Sequence, residues 1–425
     1  MTQTFQPESN GAPPTVLSRR RIIIIALGIV SISALFLVIG TMFSNGGITP
    51  WHTTVGGDFP AFYVAGQILH DPGSPHLYDR GLQARRYHEL ITRDSSRATL
   101  PYAYPPAVAL VMSPLSRLPY RTASMAWAGI SLLLYAAGLG LLWRTFDGIA
   151  RADRFVAVLL SLAFEPFIVE CIHGGQLCAI GFLAVCAGLA LHRGGKPLAA
   201  GVALGLLAYK PTLLLALAPA LMLGKQWRIL AGMAVTIGIG TAFGLVAGFG
   251  PTFDFLKLML TYVREVSGGD GFALFKFVDI CAFLKLLWHE PQAQTWPAAL
   301  LGMALMAALA GRALRAGRNE TAWIVMLMGM LVCNLYVGIY DSVLAAAAMW
   351  VMADGAYRRH GRLSWDVRWL IVAVFVAPWI TELTARWMGL QIYTLVLAAA
   401  ALQPMLRAIV LSVTSQPRQL SPQLV

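Results

Sequence analysis

The stretch from Arg19 to Phe43 is RRRIIIIALGIVSISALFLVIGTMF, three arginines followed by an uninterrupted apolar run. An apolar helix of about 20 residues is long enough to cross the hydrocarbon core of a bilayer. A secretory signal peptide has a shorter apolar core and a small-residue cleavage site, so that alternative does not fit. Because positive charges beside a first membrane helix stay in the cytoplasm, the stretch predicts an uncleaved span with its N-terminus inside. Residues 1–21, polar and proline-rich, are predicted to be a disordered cytoplasmic segment.

The composition of the whole chain supports a membrane protein. Of its 425 residues, 57% are hydrophobic and 12% are charged, whereas a soluble domain carries about 25% charged residues. One aqueous core cannot hide that much apolar surface, so a very apolar soluble protein is the weaker alternative. The net charge of +12 would suggest nucleic acid in a soluble protein, but no base-reading motif accompanies it. We therefore predict no nucleic-acid partner.

The positive charges instead predict a topology, because they fall in short clusters between apolar runs, as cytoplasmic loops do. The clusters are Arg144–Arg154, His192–Lys196, Lys225–Arg228, Arg312–Arg318 and Arg358–Arg368. If all of them are cytoplasmic, an even number of spans separates neighbouring clusters. This constraint predicts an all-α integral membrane protein with about 12 transmembrane helices and both ends inside.

The same constraint divides the chain. Residues 22–411 form a single membrane domain, with a long first outer loop at 44–120 that carries juxtamembrane helices, and 412–425 form a cytoplasmic tail. The proline-rich segment 105–119 is too short and interrupted for a full span, so we interpret it as juxtamembrane or re-entrant. Segment 155–171 is predicted as a plain span. The run 197–223 lies between two positive clusters, which predicts a helix broken at Pro211 that runs out and back.

This topology brings the unusual polar residues to the outer side, where they should converge on one cavity. They are Asp58, Tyr104, His173, Gln176, Lys210 and Asp341. Asp58 follows Gly56-Gly57 in the first outer loop and precedes a predicted helix at 61–70. Two interpretations stay open for it: an N-cap that satisfies the helix start, or a catalytic carboxylate on a functional loop.

The other polar residues also allow a structural and a functional interpretation. His173 and Gln176 flank two glycines, either as a polar interfacial turn or as groups that bind sugar hydroxyls. Lys210, inside an apolar run, either extends to the interface or binds a lipid phosphate. Asp341, next to Tyr340, is a candidate partner for Lys210. In the mixed outer segment 250–290, Arg264, Asp270 and Lys276 are expected to be solvated.

No cofactor or metal site is predicted. The five cysteines lack CxxC spacing and lie mostly in apolar stretches, which is typical of buried free thiols. There is no phosphate-binding GxxxxGK[ST] loop and no strand-GxGxxG-helix pattern. An enzyme that faces away from the cytoplasm has no nucleotide pool, so its activated substrate would have to be a lipid.

Several short motifs, in this order, resemble glycosyltransferase family 87, the polyprenyl-phosphate-sugar-dependent membrane transferases of the GT-C superfamily. The matching pieces are Gly57-Asp58-Phe59 through Tyr63, Leu77-Tyr78, Tyr104-Pro105-Pro106, Gly175-Gln176, Gly201 through Lys210-Pro211, and Tyr340-Asp341. The resemblance implies a GT-C-type polytopic helical bundle. It also implies that Asp58 is the general base of an inverting sugar transfer from polyprenyl phosphate to an acceptor hydroxyl.

The resemblance further implies roles for the other candidates. Lys210 would neutralise the leaving phosphate, with Arg264 or Lys276 as further candidates. Tyr104, His173 and Gln176 would position the sugar or acceptor, and Tyr340 and Asp341 would belong to the substrate-binding site. Many mannosyl-transferring members carry a His-Tyr pair where this chain has Gly338-Ile339-Tyr340-Asp341, so the donor sugar stays open between mannose and another hexose or a pentose.

The predicted function is therefore a hexosyltransferase at the outer face of the cytoplasmic membrane, with membrane lipid around it. Its partners would be a polyprenyl-phosphate sugar and a glycolipid or glycan acceptor. The main alternative is a polytopic transporter or lipid flippase, although transporters usually show paired broken helices in two similar halves. A third alternative is a structural membrane protein, which would leave the polar outer residues without a role.

Overall fold

The described part of the chain is built from helices alone, apart from isolated β-bridges. The structure, a computed structural model, describes residues 18–71, 76–91, 99–265 and 273–414. The predicted disordered N-terminus falls largely outside these residues, as does most of the predicted tail.

The first half contains α1 (Arg19–Met42), α2 (Phe59–Ile68), α3 (Arg80–Leu90), α4 (Pro106–Met112), α5 (Tyr120–Thr145), α6 (Arg151–Leu162), α7 (Cys178–Arg193), α8 (Pro197–Gly205) and α9 (Pro211–Leu223). The second half contains α10 (Trp227–Gly244), α11 (Phe249–Glu265), α12 (Ile280–Leu287), α13 (Trp296–Arg315), α14 (Asn319–Val332), α15 (Leu344–His360), α16 (Trp365–Met388) and α17 (Ile392–Thr414).

Five helices of the described residues are long and apolar enough to cross a membrane: Arg19–Met42, Tyr120–Thr145, Trp227–Ala247, Trp296–Arg315 and Trp365–Met388. A sixth span results if α6 is joined to the helical turn Pro166–His173, which is bent from it by 43°. The other apolar helices of the bundle are shorter. A helical membrane protein is thus supported, while the larger number of spans stays a prediction.

The run predicted to be a broken helix is broken at Lys210-Pro211. A tight 3-10 turn, Leu206–Tyr209, follows α8, and α9 begins at Pro211, whose ring removes a backbone donor. Gly201 of α8 lies against the backbone of Ile229, and Gly205 lies against Thr236 further along α10. Because α8 and α10 therefore run in the same direction, α9 between them runs back.

Three of the positive clusters meet at one end of the bundle, here called the basic end. Arg193 forms an ion pair of 2.9 Å with the buried Asp354 of α15, and Arg358 contacts the same carboxylate at 2.8 Å. Arg358 also contacts Asp147, which joins the loop after α5 to this group. The indole N–H of Trp323, in α14, donates to Nδ1 of His192, in the last turn of α7, at 3.0 Å. Clusters far apart in sequence are thus neighbours, as the predicted topology requires.

The core of the bundle lies around α14 and α15, whereas α1 lies at its edge. From Ala322 to Val332 of α14 every residue is buried, with α9, α13, α15 and α17 packed around the helix. A helix that is apolar on all sides belongs in such a position. In contrast, only Ala26, Gly40 and Thr41 of α1 are buried, and the helix contacts chiefly α6 and the turn that follows α6.

Candidate active site

The predicted site residues surround one cavity of about 1090 Å³, at the end of the bundle opposite the basic end. All but one of them are on its wall: Asp58, Tyr104, His173, Gln176, Lys210 and Tyr340. Asp341 lies behind Lys210. These residues come from the first long loop, from the turn between α6 and α7, from the break between α8 and α9, and from the turn before α15.

Two pairs of glycines bring Asp58 into place. Gly57 has a φ of +52° and Gly175 a φ of +64°, conformations that cost glycine little. A Cβ atom on Gly57 would lie 2.6 Å from the Cα of Gly174, so the two loops pack backbone against backbone. The Asp58 N–H donates to the Gly174 carbonyl at 2.8 Å, and the Trp127 indole donates to the Gly175 carbonyl at 3.0 Å. The position of Asp58 is therefore fixed by main-chain contacts.

The side chain of Asp58 faces the cavity and not its own helix. Asp58 occupies the N-cap position of α2, which begins at Phe59 and not at the predicted residue 61, but its side chain makes no capping hydrogen bond. Instead, Oδ2 of Asp58 accepts a hydrogen bond from the Gln176 amide. The Gln176 carbonyl oxygen in turn accepts from the Tyr104 hydroxyl at 3.2 Å. The N-cap interpretation is thus wrong for the side chain, although the residue does stand at a helix start.

The surroundings of Asp58 make it a stronger base than an ordinary aspartate. Its pKa is raised to about 6: burial is the largest cause and the nearby charge of Glu170 also raises it, while Lys276 and the Gln176 hydrogen bond lower it. Loss of hydration penalises the charged form, which is why burial has the largest effect. At neutral pH most of the Asp58 carboxylate is still ionised.

Lys210 forms a buried ion pair with Asp341. The ammonium contacts Asp341 Oδ2 and donates to the Tyr340 hydroxyl at 3.2 Å. Its Nζ also lies 4.5 Å from the centre of the Tyr340 ring, within cation–π distance. Lys210 is only 6% exposed, so it does not extend to an interface. The predicted pairing is present, and the ammonium still forms part of the cavity wall.

His173 lies at the end of a π-helical turn, Pro166–His173. Such turns occur often at functional sites. Its Nε2 is hydrogen-bonded to the Ser33 hydroxyl of α1 at 2.6 Å, so the imidazole joins the turn to the first helix. The sequence predicted a plain span over 155–171. Hydropathy registers the apolar side chains but not the bend or the change of hydrogen-bond pattern.

A group of charges beside Asp58 was not predicted as a unit. Lys276 Nζ lies 3.4 Å from the Glu170 carboxylate and 3.9 Å from that of Glu382. Glu170 and Lys276 both line the cavity. Lys276 was expected to be solvated; its side chain is 44% exposed, and it also bridges two carboxylates. An acidic residue within an apolar run is itself a signal, which could have identified Glu170 and Glu382. The side chain of Arg264 and the whole of Asp270 are outside the described residues.

Part of the cavity wall is apolar. It is formed by α1, α11 and α16, through Ile29, Ile32, Phe36, Leu258, Met259 and Trp379. All five cysteines are free, and among the described residues no three His, Cys, Asp or Glu side chains are grouped as metal ligands would be. The cavity thus combines a polar wall, which contains acids, lysines and an amide, with a wall suited to hydrocarbon.

Comparison with known proteins gives one match. The model of glycosyltransferase family 87 matches residues 102–339, more than half of the chain. This range includes Tyr104, His173, Gln176 and Lys210, while Asp58 precedes it and Tyr340, Asp341 and Glu382 follow it. No curated protein and no solved structure matched the chain.

Proposed function

The chain belongs to glycosyltransferase family 87, and from this premise we propose that it transfers a sugar from a polyprenyl-phosphate donor to an acceptor hydroxyl. The acceptor is a glycolipid or glycan, the donor sugar is a hexose or pentose, and the anomeric configuration is inverted. The family assignment argues against the alternative of a transporter or flippase without transferase activity.

The observation that carries the proposal is the state of Asp58 on the cavity wall. A general base works best when its pKa lies near the operating pH, and the pKa of Asp58 is raised to about 6. Its carboxylate takes the proton of the acceptor hydroxyl while that oxygen forms a bond to the anomeric carbon. The bond from the anomeric carbon to the phosphate oxygen breaks, and polyprenyl phosphate leaves with the electron pair. Gln176 holds the carboxylate through one oxygen, and the other oxygen can accept the proton.

Two cations of the described cavity wall can meet the phosphate. Lys210 and Lys276 both line the cavity, and both are already paired with carboxylates. With Asp58 counted, the wall carries no surplus of positive charge, which suits a singly charged phosphodiester better than a more highly charged diphosphate. Positive charge beside the leaving group stabilises the charge that develops on it. Tyr104, His173 and Tyr340 supply further hydrogen-bonding groups for sugar hydroxyls.

The apolar wall supports a lipid substrate. Side chains of α1, α11 and α16 offer a continuous apolar surface to a polyprenyl chain. Because α1 packs against few neighbours, lipid can reach this side from the bilayer. We place the cavity at the outer face of the cytoplasmic membrane, since the basic end lies opposite and positive loops stay inside.

Asp58→Asn tests the proposal. The asparagine keeps the size of the side chain but cannot take a proton, so we expect transfer to fall by about 10²–10⁴-fold. The measurement uses purified protein in liposomes with native membrane lipids and a panel of radiolabelled polyprenyl-phosphate hexoses and pentoses. Near-normal transfer by the variant would exclude Asp58 as the base.

Asp79→Asn is the matched control. Asp79 also stands at a helix start, where its side chain accepts from the Leu82 N–H at 2.9 Å, but it is exposed and does not line the cavity. The control variant should keep full transfer activity. If the wild-type protein consumes none of the lipid-linked sugars, the proposed function is wrong.

A further inference from the structure

Three charged residues from three separate elements meet beside Asp58. Glu170 belongs to the π-helical turn, Lys276 to the 3-10 turn Leu274–Lys276, and Glu382 to α16. The ammonium stands between the two carboxylates, 3.4 Å from Glu170 and 3.9 Å from Glu382. Glu382 lies beyond the range that the family model matches. One ammonium group thus joins carboxylates from two other elements.

The backbone holds Lys276 in place. Gln391, which precedes α17, donates its side-chain amide to the carbonyl of Phe275 at 2.8 Å and to that of Phe277 at 3.1 Å. These carbonyls flank Lys276 on both sides. Phe277 also forms a bridge to Gly338. A lysine on a turn fixed at both neighbours has less freedom to leave its partners.

Glu170 and Asp58 belong to one connected unit. The π-helical turn closes with the Gly174 N–H donating to the Val169 carbonyl at 2.8 Å. The Gly174 carbonyl then accepts the Asp58 N–H, also at 2.8 Å, and the Gln176 amide holds the Asp58 side chain. Glu170 therefore keeps a fixed place relative to the carboxylate that faces the cavity.

We propose that Glu170 and Lys276 are positioning residues of opposite charge that together set how tightly Asp58 holds a proton. Glu382 takes part by sharing Lys276 with Glu170. The inference rests on the proposed function, in which Asp58 is the base, and it assigns the strength of that base to named neighbours. Because Asp58 is poorly hydrated, each of these charges acts on it more strongly than it would on an aspartate in bulk water.

Other titratable and charged groups lie around the cavity and the three charged residues, and one of them, Arg386 of α16, lies 4.0 Å from Glu382. His173 is bonded to Ser33, and Lys210 is paired with Asp341. Glu165, buried between α6 and the π-helical turn, adds a carboxyl group near Glu170 and Lys276. The remaining titratable groups on the described wall are the tyrosines Tyr87, Tyr104, Tyr209, Tyr336 and Tyr340. Tyrosines carry no charge near neutral pH.

The two positioning residues should act on Asp58 with opposite signs. Glu170 raises the pKa of Asp58 and Lys276 lowers it. Removing the negative charge of Glu170 should thus weaken the base, and removing the positive charge of Lys276 should strengthen it. In Glu382→Gln, one of the two carboxylates that neutralise Lys276 is removed. The positive charge of Lys276 then lowers the pKa of Asp58 more strongly. This change should act in the same direction as the change at Glu170, but less.

The experiment measures kcat/KM against pH for Glu170→Gln, Lys276→Met and Glu382→Gln. The fall of kcat/KM on the acidic side of the profile, its acidic limb, reports the pKa of the base in the free enzyme. We expect the limb, near pH 6 in the wild type, to move down by about one unit in Glu170→Gln and up by about one unit in Lys276→Met. Glu320→Gln is the matched control, because Glu320 pairs with Arg359 at the basic end, and its limb should stay in place.

A second measurement does not depend on activity. Infrared titration follows the C=O stretch of the protonated Asp58 carboxyl, identified as the band that is missing in Asp58→Asn. The pH midpoint of this band should move down in Glu170→Gln and up in Lys276→Met. Lys276→Arg and Glu170→Asp keep the charges and should restore the wild-type midpoint, which separates an effect of charge from a folding defect.

The outcomes distinguish the inference from the function on which it rests. If Asp58→Asn is inactive but both midpoints stay at the wild-type value, the inference is wrong and the function stands. Shifts of equal sign in Glu170→Gln and Lys276→Met would also overturn it. If no donor is consumed by the wild type, the function fails, and the infrared midpoints still decide whether these charges control Asp58.

Discussion

Lys210 is an ammonium enclosed by aromatic rings and a carboxylate. Its Nζ lies 4.5 Å from the ring centre of Tyr340 and 5.3 Å from that of Tyr336, and Asp341 neutralises it. Taking two charges out of water costs free energy, which an ion pair with further hydrogen bonds only partly offsets. The Gly338 N–H donates to Asp341 at 3.1 Å and adds one such bond. A pair of this cost, placed on a cavity wall, is better explained by chemistry than by stability.

A double-mutant comparison separates stability from chemistry at this pair. Lys210→Met and Asp341→Asn each leave a buried partner without its counter-charge, so we expect each to lower the free energy of unfolding by about 3–5 kcal/mol. The double variant should recover most of that stability, because neither charge remains. We expect it to recover no sugar transfer, since the ammonium on the wall is also gone. Thermal melting in detergent and the transfer assay measure the two effects.

The result that would contradict this expectation is recovery of transfer by the double variant. The pair would then serve only to hold the break between α8 and α9 against the turn before α15. The sequence predicted the pairing of these two residues because both are charges in apolar runs. It could not predict the enclosing rings of Tyr336 and Tyr340, since their approach to Lys210 depends on the packing of segments about 130 residues apart.

At the scale of elements, Asp279 joins α12 to the segment before α15. Its Oδ1 accepts from the Ala282 N–H at 3.0 Å as the N-cap of α12, and its Oδ2 accepts from the Val337 N–H at 2.9 Å. The Val278 N–H donates to the Val337 carbonyl at 2.9 Å and completes the junction. Burial raises the pKa of Asp279 to about 6. The junction holds Phe277 and Gly338 side by side, between Lys276 and Tyr340.

Removing the Asp279 carboxylate should weaken the positioning of Lys276 and Tyr340, although Asp279 does not line the cavity. Asp279→Ala leaves two buried N–H groups without acceptors, so we expect a loss of about 2–4 kcal/mol in the free energy of unfolding. Sugar transfer should also fall, because Lys276 and Tyr340 lie on either side of the junction. Thermal melting and the transfer assay are the measurements. Asp79→Ala, which removes a cap from the exposed start of α3, should lower the melting temperature less and leave transfer unchanged.

The bounds and breaks of helices could be predicted where they depend on the side chains of the helix itself. The first long apolar helix could be predicted closely, since α1 covers Arg19–Met42 and the apolar stretch read from the sequence covers Arg19–Phe43. The break at Lys210-Pro211 was predicted because proline cannot donate within a helix. The role of Asp279 was not predicted, since it depends on two distant segments pairing by their main chains. The π-helical turn was missed because hydropathy does not report a change of hydrogen-bond pattern.

At the scale of the whole molecule, charge divides the bundle into two ends. Three of the positive clusters collect at the basic end, and the cavity lies at the other. The sequence predicted this division because the positive-inside rule acts on loops and needs no tertiary detail. The number of spans is harder to predict, because α8, α9 and α14 are short helices within the bundle. For such helices, length and apolar content do not establish whether each one crosses the membrane.

Cysteine labelling on the two sides of α13 tests this division and the face of the cavity. Gln294, before the helix, and Ala316, after it, are both exposed and lie near the cavity end and the basic end, respectively. In right-side-out vesicles, a membrane-impermeant maleimide should label Gln294→Cys and should label Ala316→Cys only after permeabilisation. The wild-type protein is the background, since most of its cysteines are buried. The reverse pattern would put the cavity on the cytoplasmic face, where nucleotide sugars are within reach. Labelling of both positions from outside would mean that α13 does not cross the membrane.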